Sequence, residues 1–388
     1  MGSHSQRRHH GTHVFAEGES GRQGAALESH HDARRHARLN QDHAAAGTAL
    51  RAIGWPPGGS DGAADLPHAW RTLLDAHPQA RPARVVEQHR SGYVVADGGE
   101  AVFAAVSPPE WQRPKHPPGQ RATVGDWVLL EGDRIAALLP RRTCIKRGAA
   151  GEHYRQQVIA ANVDVALVAC GLDADFNPRR IERYVLLVRE GGARPVVVLT
   201  KADRPGADPQ SAIAALAGVA AQGVDVVAVN AKDRQSVAAL ETWLRPGATA
   251  VLVGSSGAGK STLTNTLLGR ERMRTAQVRE HDARGRHTTT HRVLIPLPGG
   301  ACLIDTPGMR ELKPTGEEDL AGGGFADIEV LAVQCRFRDC RHAREPGCAV
   351  RAAIESGALD AGRYANYAKL RDEVAGAARQ LAARRTER

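Results

Sequence analysis

The sequence predicts a multidomain protein with a small β-barrel, a doubly wound α/β domain and a helical, metal-binding C-terminal domain. Its 388 residues exceed the usual size of a single hydrophobic core. Short alternating strands give way to longer apolar runs with intervening helices, and three of the six cysteines cluster near the C-terminus. The predicted segments are a leader over 1–46, a short lead-in over 47–80, the barrel over 81–150, the α/β domain over 151–314 and the helical domain over 315–388.

Composition and charge narrow the class of protein. The net charge of +9 and the pI near 9.6 favour a polyanionic partner, either nucleic acid or an anionic membrane surface. Hydrophobic residues make up 42% and aromatic residues only 4%, as in parallel α/β sheets with aliphatic cores. No apolar run approaches the roughly 18 residues of a membrane span, and a polar run follows Met1 in place of a signal peptide. We therefore expect a soluble, cytoplasmic monomer that does not enter a membrane.

Residues 1–46 hold eight of the 17 histidines and show almost no apolar periodicity. They cannot bury enough apolar surface to offset the entropy of ordering, so we predict that this His/Arg-rich leader is disordered. Three origins stay open for it: a start upstream of the natural one, an added leader, or a functional tail whose imidazoles bind metal weakly.

Five short alternating segments, separated by Gly, Pro and Asp, predict the small all-β barrel; they cover 83–87, 92–96, 101–106, 126–130 and 134–139. Barrels of this size often bind RNA through a basic face that carries aromatic side chains. The candidates for such a face are Arg90, Tyr93, Trp111, Lys115 and Arg121. The alternative is that the aromatic residues pack the barrel, which we expect for Trp127 and leave open for Tyr93.

Apolar runs that end in polar loops and precede helical stretches predict the doubly wound α/β domain. The runs are 163–170, 195–199, 224–229, 249–253, 292–296 and 301–304. Ligands of this fold bind at the carboxyl ends of the strands. The motifs with nucleotide chemistry follow such ends.

A P-loop follows the run that ends at Val253 and opens a helix expected over Thr262–Leu268. Its residues are Gly254, Ser255, Ser256, Gly257, Ala258, Gly259, Lys260 and Ser261. The glycines let backbone amides close around a β-phosphate, and the helix N-terminus adds its dipole. Lys260 is expected to reach the β and γ oxygens and Ser261 to ligate Mg²⁺.

Two further motifs indicate that the base is guanine. Thr200-Lys-Ala-Asp follows the run 195–199 and resembles the Asn-Lys-x-Asp of GTPases, in which the Asp accepts hydrogen bonds from guanine and the Lys lies over the base. Asp203 and Lys201 fit this pattern, whereas Thr200 replaces the Asn. Asn230, Ala231 and Lys232 resemble the Ser-Ala-Lys loop that backs the guanine.

The two switch segments are predicted on either side of the run 292–296. Asp305-Thr-Pro-Gly resembles switch II, in which the Asp holds the Mg²⁺ shell and the amide of Gly308 senses the γ-phosphate. Met309 follows where many GTPases have a Gln that orients water, so another group must do this. Gly285-Arg-His-Thr-Thr-Thr lies at switch I, where Thr289 would complete Mg²⁺ coordination. His287 is either the water-positioning group or a solvated loop histidine.

Cys335, Cys340, His342 and Cys348 place four soft ligands within fourteen residues. A Cys3His set suits tetrahedral Zn²⁺ with no open position, so we predict a structural zinc site. Four arginines interleave with these ligands and either contact phosphates or form a solvated face: Arg336, Arg338, Arg341 and Arg344.

With the Thr-Lys-x-Asp motif ahead of the P-loop, the chain closely resembles the ribosome small-subunit-dependent GTPase A family, from about Arg81 to the C-terminal helix. The match includes Gln157-Val-Ile-Ala-Ala-Asn-Val-Asp, Arg336-Phe-Arg-Asp and Glu345-Pro-Gly-Cys-Ala-Val. The resemblance implies an N-terminal OB-type β-barrel, an α/β circularly permuted P-loop GTPase domain and a C-terminal α-helical zinc-binding domain. It also implies a factor that binds the small (30S) ribosomal subunit and its 16S-type rRNA late in maturation, with GTP hydrolysis that the subunit stimulates.

Two other functions fit parts of the sequence. One is a P-loop ATPase or kinase, for which Asp203 would not read guanine. The other is an RNA-binding scaffold that uses GTP without turnover. Under the GTPase hypothesis the barrel and the zinc domain adjoin the permuted domain, so we expect order in the switches to reposition both RNA-facing modules.

Overall fold

The structure is a computed structural model that describes residues 48–56, 66–89, 92–99, 101–113, 115–148, 156–270, 292–306 and 313–386. The chain divides into one unit over 1–48 and another over 49–388. The second unit contains all the elements described below. The leader predicted over 1–46 lies outside the described residues.

A barrel of five antiparallel strands follows helix α1 (His68–Ala76); the strands are β1 (Arg81–Gln88), β2 (Tyr93–Ala96), β3 (Val102–Ala105), β4 (Trp127–Glu131) and β5 (Arg134–Leu138). β1 pairs with both β2 and β4. β3 pairs with the other edge of β2, and β5 pairs with the other edge of β4. A parallel bridge between Val106 and Arg134 joins the two free edges and closes the barrel. Closure leaves neither β3 nor β5 as an open edge at that point.

Three large aromatic residues of the barrel segment are buried, but in two different clusters. Trp127 is 1% exposed and packs against Trp55 in the cluster shared with the α/β domain, whereas Tyr93 and Trp111 are each 7% exposed and belong to the interior of the barrel. The Tyr93 and Trp111 rings meet edge to face with centroids 5.9 Å apart, between the 3₁₀ turn Pro109–Gln112 and β2. Tyr93 therefore packs the barrel, which is the alternative that was left open for it. Trp111 is buried as well and does not lie on an exposed aromatic face, because burial of these large rings stabilises a small barrel more than exposure would.

The barrel strand β1 continues a parallel sheet formed by β8 (Val165–Gly171), β9 (Arg194–Thr200), β10 (Asp225–Ala228), β11 (Thr249–Val253), β12 (Val293–Pro296) and β13 (Cys302–Asp305). The order is β10-β9-β8-β11-β13-β12, with only β12 antiparallel to its neighbour in this part. The chain proceeds outward from β8 to β10 and then returns to the other side of β8. The crevice between β8 and β11 is therefore the switch point at which this class of fold binds ligands.

Helices cover both faces of this sheet: α2 (Pro178–Glu190), α3 (Pro209–Ala215), α4 (Ala217–Ala220), α5 (Arg234–Val237) and α6 (Lys260–Leu268). Ile181 and Val188 of α2 share one hydrophobic cluster with Val168 and Val197, while Leu263 of α6 belongs to a second. Asn177 caps α2 by accepting a hydrogen bond from the amide of Arg180, and Pro follows at the first helical position. The doubly wound prediction is confirmed.

A two-stranded hairpin, β6 (Cys144–Gly148) with β7 (Gln156–Ala161), was not predicted. The boundary drawn between residues 150 and 151 falls between its strands. Its first strand carries Lys and Arg with little alternation, so period-two patterning does not identify it.

The C-terminal part is helical, with a turn that is kinked at Gly324 (Ala321–Phe325) followed by α7 (Ala326–Val333), α8 (Ala349–Glu355) and α9 (Ala361–Thr386). Phe325, Ile328, Val350 and Leu370 form its core, which also takes in Leu186 of α2. Within the described part of the chain, no helix is long and apolar enough to span a membrane.

A buried ion-pair network attaches these helices to α2. Arg363 of α9 is 4% exposed and lies 3.1 Å from Glu182 and 2.9 Å from Asp327. The amide of Asn366 donates to the other carboxylate oxygen of Glu182 at 2.6 Å. Arg183 pairs with Glu373 further along the two helices at 2.7 Å. One face of α2 is thus held by α9 through one buried ion pair, Arg363 with Glu182, and one partly exposed pair, Arg183 with Glu373.

Replacing Arg363 by Ala should lower the free energy of unfolding by about 3 kcal/mol, because it removes the buried cation shared by Glu182 and Asp327 and leaves Glu182 with only the partly exposed Arg179 as a cation. Arg351→Ala is the control, since Arg351 pairs with Glu355 on an exposed helix surface and should cost at most about 1 kcal/mol. Urea unfolding of both variants measures the difference. Equal losses would contradict the assignment of a stabilising role to Arg363.

Candidate functional site

The predicted P-loop lies between β11 and α6, at the carboxyl edge of the sheet. Gly254 has φ of +144°, and a Cβ there would lie 2.2 Å from the carbonyl oxygen of Ala169. Gly259 has φ of +81°, and a Cβ there would meet the side chain of Thr200 at 3.1 Å. Both glycines are therefore required by backbone conformation and by a close neighbour.

Lys260 begins α6 and folds back over the loop. Its Nζ donates to the carbonyl oxygens of Gly254 at 2.7 Å and Ser255 at 2.5 Å. Ser261 and Thr262 stand in the first turn of the same helix, where free amides and the helix dipole attract anions. The ammonium and the helix N-terminus thus lie at the same loop, which is the arrangement that binds phosphate.

Thr200 links the P-loop to the end of β9. This threonine is fully buried, and its Oγ1 donates to the carbonyl oxygen of Ala258 at 2.8 Å and lies 3.4 Å from that of Cys170. Thr200 occupies the motif position at which GTPases have Asn. In this structure its hydroxyl holds the base-side loop against the phosphate-side loop.

Lys201, the next residue, adopts a left-handed backbone conformation, with φ of +61°. Its Nζ lies 2.5 Å from Asp173 Oδ2, and Arg204 Nη1 lies 3.0 Å from the same oxygen. Burial acts to raise the pKa of the Asp173 carboxyl, but the hydrogen bond from Lys201 and the two nearby cations outweigh it and hold that pKa below its usual range.

These loops border a cavity of about 490 Å³, a size typical of small-molecule sites. Its lining residues are Leu172, Asp173, Ala174, Asp175, Lys201, Arg204, Pro205, Gly206, Ser256 and Gly257. Asp203 is exposed in the loop that follows β9. The cavity therefore joins the Thr-Lys-Ala-Asp loop to the P-loop.

The Asn230-Ala-Lys loop after β10 is tied to the helix of the P-loop. Thr266 of α6 donates to the carbonyl oxygen of Ala231 at 2.6 Å. The side chain of Asn230 accepts from the amide of Lys232 at 3.0 Å, which closes the loop on itself. The loop is thus fixed beside the same edge of the sheet.

Asp305 ends β13, directly beside β11, and is buried. The next residue, Thr306, donates from its hydroxyl to the carbonyl oxygen of Leu252 at 3.0 Å, which fixes the strand end. Gly308, His287 and Thr289, like Met309, lie outside the described residues.

Two carboxylates at this edge were not identified from the sequence. Asp173 and Asp175 follow β8, and Asp175 accepts hydrogen bonds from Ser255 of the P-loop and from Arg180 of α2. Hydrogen bonds from Ser255 and Arg180 overcome the effect of burial and lower the pKa of the Asp175 carboxyl. Their position directly after a buried strand could have identified them, because ligand-binding residues of this fold lie at the carboxyl ends of strands.

The predicted metal ligands come together in the C-terminal part. The ligand atoms of Cys335, Cys340, His342 and Cys348 all lie within 4.8 Å of one another. The sulfurs of Cys335 and Cys348 are 3.9 Å apart, and His342 Nδ1 is 3.5 Å from the first and 3.4 Å from the second. Tetrahedral zinc with bonds of about 2.3 Å to sulfur and 2.0 Å to nitrogen requires edges of about 3.8 and 3.5 Å. The donor set and its spacing fit Zn²⁺.

Hydrogen bonds from the backbone support this cluster. The amide of Arg351 donates to the sulfur of Cys348 at 3.4 Å. Glu345 accepts from the amides of Arg341, Ala343 and Arg344, and the backbone around it lowers its carboxyl pKa to about 2. The loop between the ligands is therefore held by its own acceptor. All four interleaved arginines are exposed.

Comparison with known proteins identifies the family. Residues 138–315 match the family model described as RsgA GTPase. The chain is 69% identical over 336 residues to the small ribosomal subunit biogenesis GTPase RsgA of Xanthomonas oryzae pv. oryzae (strain MAFF 311018), with 86% of this chain and 91% of that protein covered. The chain belongs to the RsgA GTPase family.

Two solved structures share the fold of this RsgA-family chain. YjeQ from Thermotoga maritima superposes with a TM-score of 0.55 at 24% identity, over 76% of this chain and 99% of that one. YloQ, described as a circularly permuted GTPase, gives a TM-score of 0.53 at 24% identity, over 77% and 96%. The prediction of a circularly permuted GTPase fold is confirmed, and the strand order has the P-loop strand β11 after β8, β9 and β10.

Thr200→Val should lower the free energy of unfolding by about 1–3 kcal/mol, because the buried carbonyl of Ala258 loses its donor. Thr200→Asn should cost less than Val, since an amide can replace the hydroxyl as donor. Chemical unfolding of both variants provides the test. The control is Thr72→Val on α1, where the exposed hydroxyl bonds only to its own helix. A Val variant as stable as the wild type would contradict the linking role of Thr200.

Proposed function

We propose that this chain is a Mg²⁺-dependent GTPase that binds the small (30S) ribosomal subunit and acts in its late maturation. The observation that carries the proposal is the meeting of three motifs at one edge of the sheet: the P-loop after β11, Thr200-Lys-Ala-Asp after β9 and Asp305 at the end of β13. The relative from X. oryzae, 69% identical, is named for small ribosomal subunit biogenesis. We expect the protein to act as a monomer in the cytoplasm.

The residues divide the work between base and phosphates. Asp203 would accept the guanine hydrogen bonds, Lys201 would lie over the base, and the loop of Asn230, Ala231 and Lys232 would back it. The amides of 254–261 would hold the β-phosphate, with the Lys260 ammonium neutralising β and γ oxygens. The hydrogen bond from Thr200 to Ala258 of the P-loop would hold the base-binding and phosphate-binding loops beside one another.

Ser261, Thr289 and Asp305 would supply the ligands for Mg²⁺, and the bound ion would neutralise the negative charge that develops on the phosphates. Hydroxyl and carboxylate oxygens are the hard donors that this ion prefers. Ser261 and Asp305 follow or end the adjacent strands β11 and β13, so they stand at the same edge. Gly308 would contact the γ-phosphate through its amide, and His287 would orient the attacking water.

We further propose that the barrel is of the OB type and contacts 16S-type rRNA. The closed order β1-β2-β3-β5-β4 supports this assignment. Because Tyr93 and Trp111 are buried, this contact would be made by cations such as Lys115 and Arg121 to phosphates. The proposed domains are 81–150 for the barrel, 151–314 for the GTPase and 315–388 for the zinc domain.

The turnover of GTP with and without purified small subunits tests the function. We expect the subunits to accelerate hydrolysis by the wild-type chain, and Asp305→Ala to abolish it. His287→Ala should lower the stimulated rate by about 100-fold with unchanged GDP affinity, as expected for loss of a water-positioning group. A preserved rate in that variant would remove His287 from the chemistry. Slow turnover that subunits do not change would instead indicate a scaffold that uses GTP without hydrolysis.

We propose one structural Zn²⁺ on Cys335, Cys340, His342 and Cys348, because the donor spacing fits a closed tetrahedral site. Metal analysis should find one zinc per chain in the wild type and much less in Cys348→Ser. The control Cys144→Ser, outside the cluster, should retain the metal. A chelator should lower the melting temperature of the wild type, since metal binding contributes to folding. Equal zinc in both variants would refute the site.

A further inference from the structure

The loop that follows β8 brings two carboxylates to the nucleotide cavity, at Asp173 and Asp175. Neither residue belongs to the P-loop, the base-reading motif or the switches. Each one is nevertheless bonded to a residue of a predicted motif: Asp173 to Lys201 and Asp175 to Ser255. One short loop therefore touches both the base side and the phosphate side of the site.

Asp173 holds Lys201 in place. The carboxylate receives Lys201 Nζ at 2.5 Å, and the lysine stem lies so close to Gly171 that a Cβ there would be 3.2 Å from Lys201 Cδ. Lys201 also adopts a left-handed backbone conformation, which disfavours any side chain and needs support from its surroundings. With the backbone fixed and the ammonium bound, the aliphatic stem has little freedom left. This is the preorganisation that a residue stacking on a base requires.

Asp175 holds the P-loop. It accepts from the hydroxyl of Ser255, which is 8% exposed, and from Arg180 Nη1 at 2.6 Å. Arg180 lies in the first turn of α2, behind the cap formed by Asn177. Asp175 therefore anchors the start of the glycine-rich P-loop to helix α2.

We propose that Asp173 and Asp175 are positioning residues of the guanine nucleotide site, with Asp173 orienting Lys201 over the base and Asp175 fixing the P-loop through Ser255. This inference rests on the proposed function. The carboxylates would not contact phosphate themselves, because like charges repel and each is already paired with a cation. Their effect on affinity must then pass through Lys201 and Ser255.

A double-mutant cycle with GDP tests the first half in the full-length chain. Asp173→Asn should weaken binding of GMP, GDP and GTP by the same factor, about tenfold, because the base contact is common to all three. In the Lys201→Ala background the same change should alter affinity less than twofold. An equal loss of affinity in both backgrounds would overturn the proposal. Tighter binding by Asp173→Asn would also overturn it, because it would show that the nucleotide must break the Asp173–Lys201 ion pair in order to bind.

The second half has its own cycle. Asp175→Asn should weaken GDP about tenfold and GMP much less, because only GDP presents a β-phosphate to the P-loop. The effect should disappear in the Ser255→Ala background. An unchanged GDP affinity in Asp175→Asn, or a loss that persists without the Ser255 hydroxyl, would overturn this half.

Asp225→Asn is the matched control. Asp225 pairs with Arg194 at 2.7 Å at the amino end of the same strands, so the change removes a similar ion pair far from the cavity. It should leave all nucleotide affinities unchanged. Thermal unfolding of every variant shows whether a loss of affinity comes from misfolding or from lost positioning. If Asp173→Asn fails to fold, Asp173→Glu provides the test, because it keeps the negative charge and moves it by one methylene. Normal affinity in a stable Asp173→Glu would then also overturn the proposal. A wild-type chain that does not bind GDP would refute the proposed function itself, whereas normal affinity in stable Asp173→Asn would refute only this inference.

Discussion

The hydrogen bond from Thr200 to the carbonyl of Ala258 connects the two halves of the candidate site. The donor ends one strand and the acceptor belongs to the loop after another, and β8 lies between those two strands in the sheet. Because the bond is buried, water cannot replace either partner, so its loss would leave an unsatisfied group in the core. The hydrogen bond therefore holds the Lys201 loop beside the Gly259 turn, at the border of the cavity.

The same edge of the sheet is attached to the rest of the molecule through α2. Asp175 binds the P-loop serine and the first turn of α2, while the far side of that helix pairs with α9 through Glu182 and Arg183. Leu186 of α2 lies in the core of the C-terminal helices beside Phe325. The coupling that we expect between the nucleotide state and the C-terminal helices therefore has a continuous set of contacts through α2.

Circular permutation explains why the motifs occur in an unusual order yet still meet. A parallel sheet brings together the carboxyl ends of its strands whichever loop is cut, so the site depends on strand order in space. Here β9, which ends at Thr200, precedes β11, which ends before the predicted P-loop, and β8 separates these two strands in the sheet. The new connections place the barrel against β12 and the helical part after β13. Both flanking parts therefore adjoin strands that border the two predicted switch segments.

The sequence by itself determined the chemistry that depends on local spacing. The P-loop, the Thr-Lys-Ala-Asp motif, Asp305 and the Cys3His set are short patterns whose geometry follows from the chain, and buried aliphatic runs indicated the strands. The sequence did not identify the hairpin β6–β7, whose polar strand lacks alternation, or the burial of Tyr93 and Trp111, since an aromatic residue suits a core as well as a binding face. Only the tertiary structure decided which distant groups pair, such as Asp173 with Lys201, Asp175 with Ser255 and Glu182 with Arg363. These pairs join residues 28, 80 and 181 positions apart, and no local pattern encodes a contact that exists only after the strands have assembled.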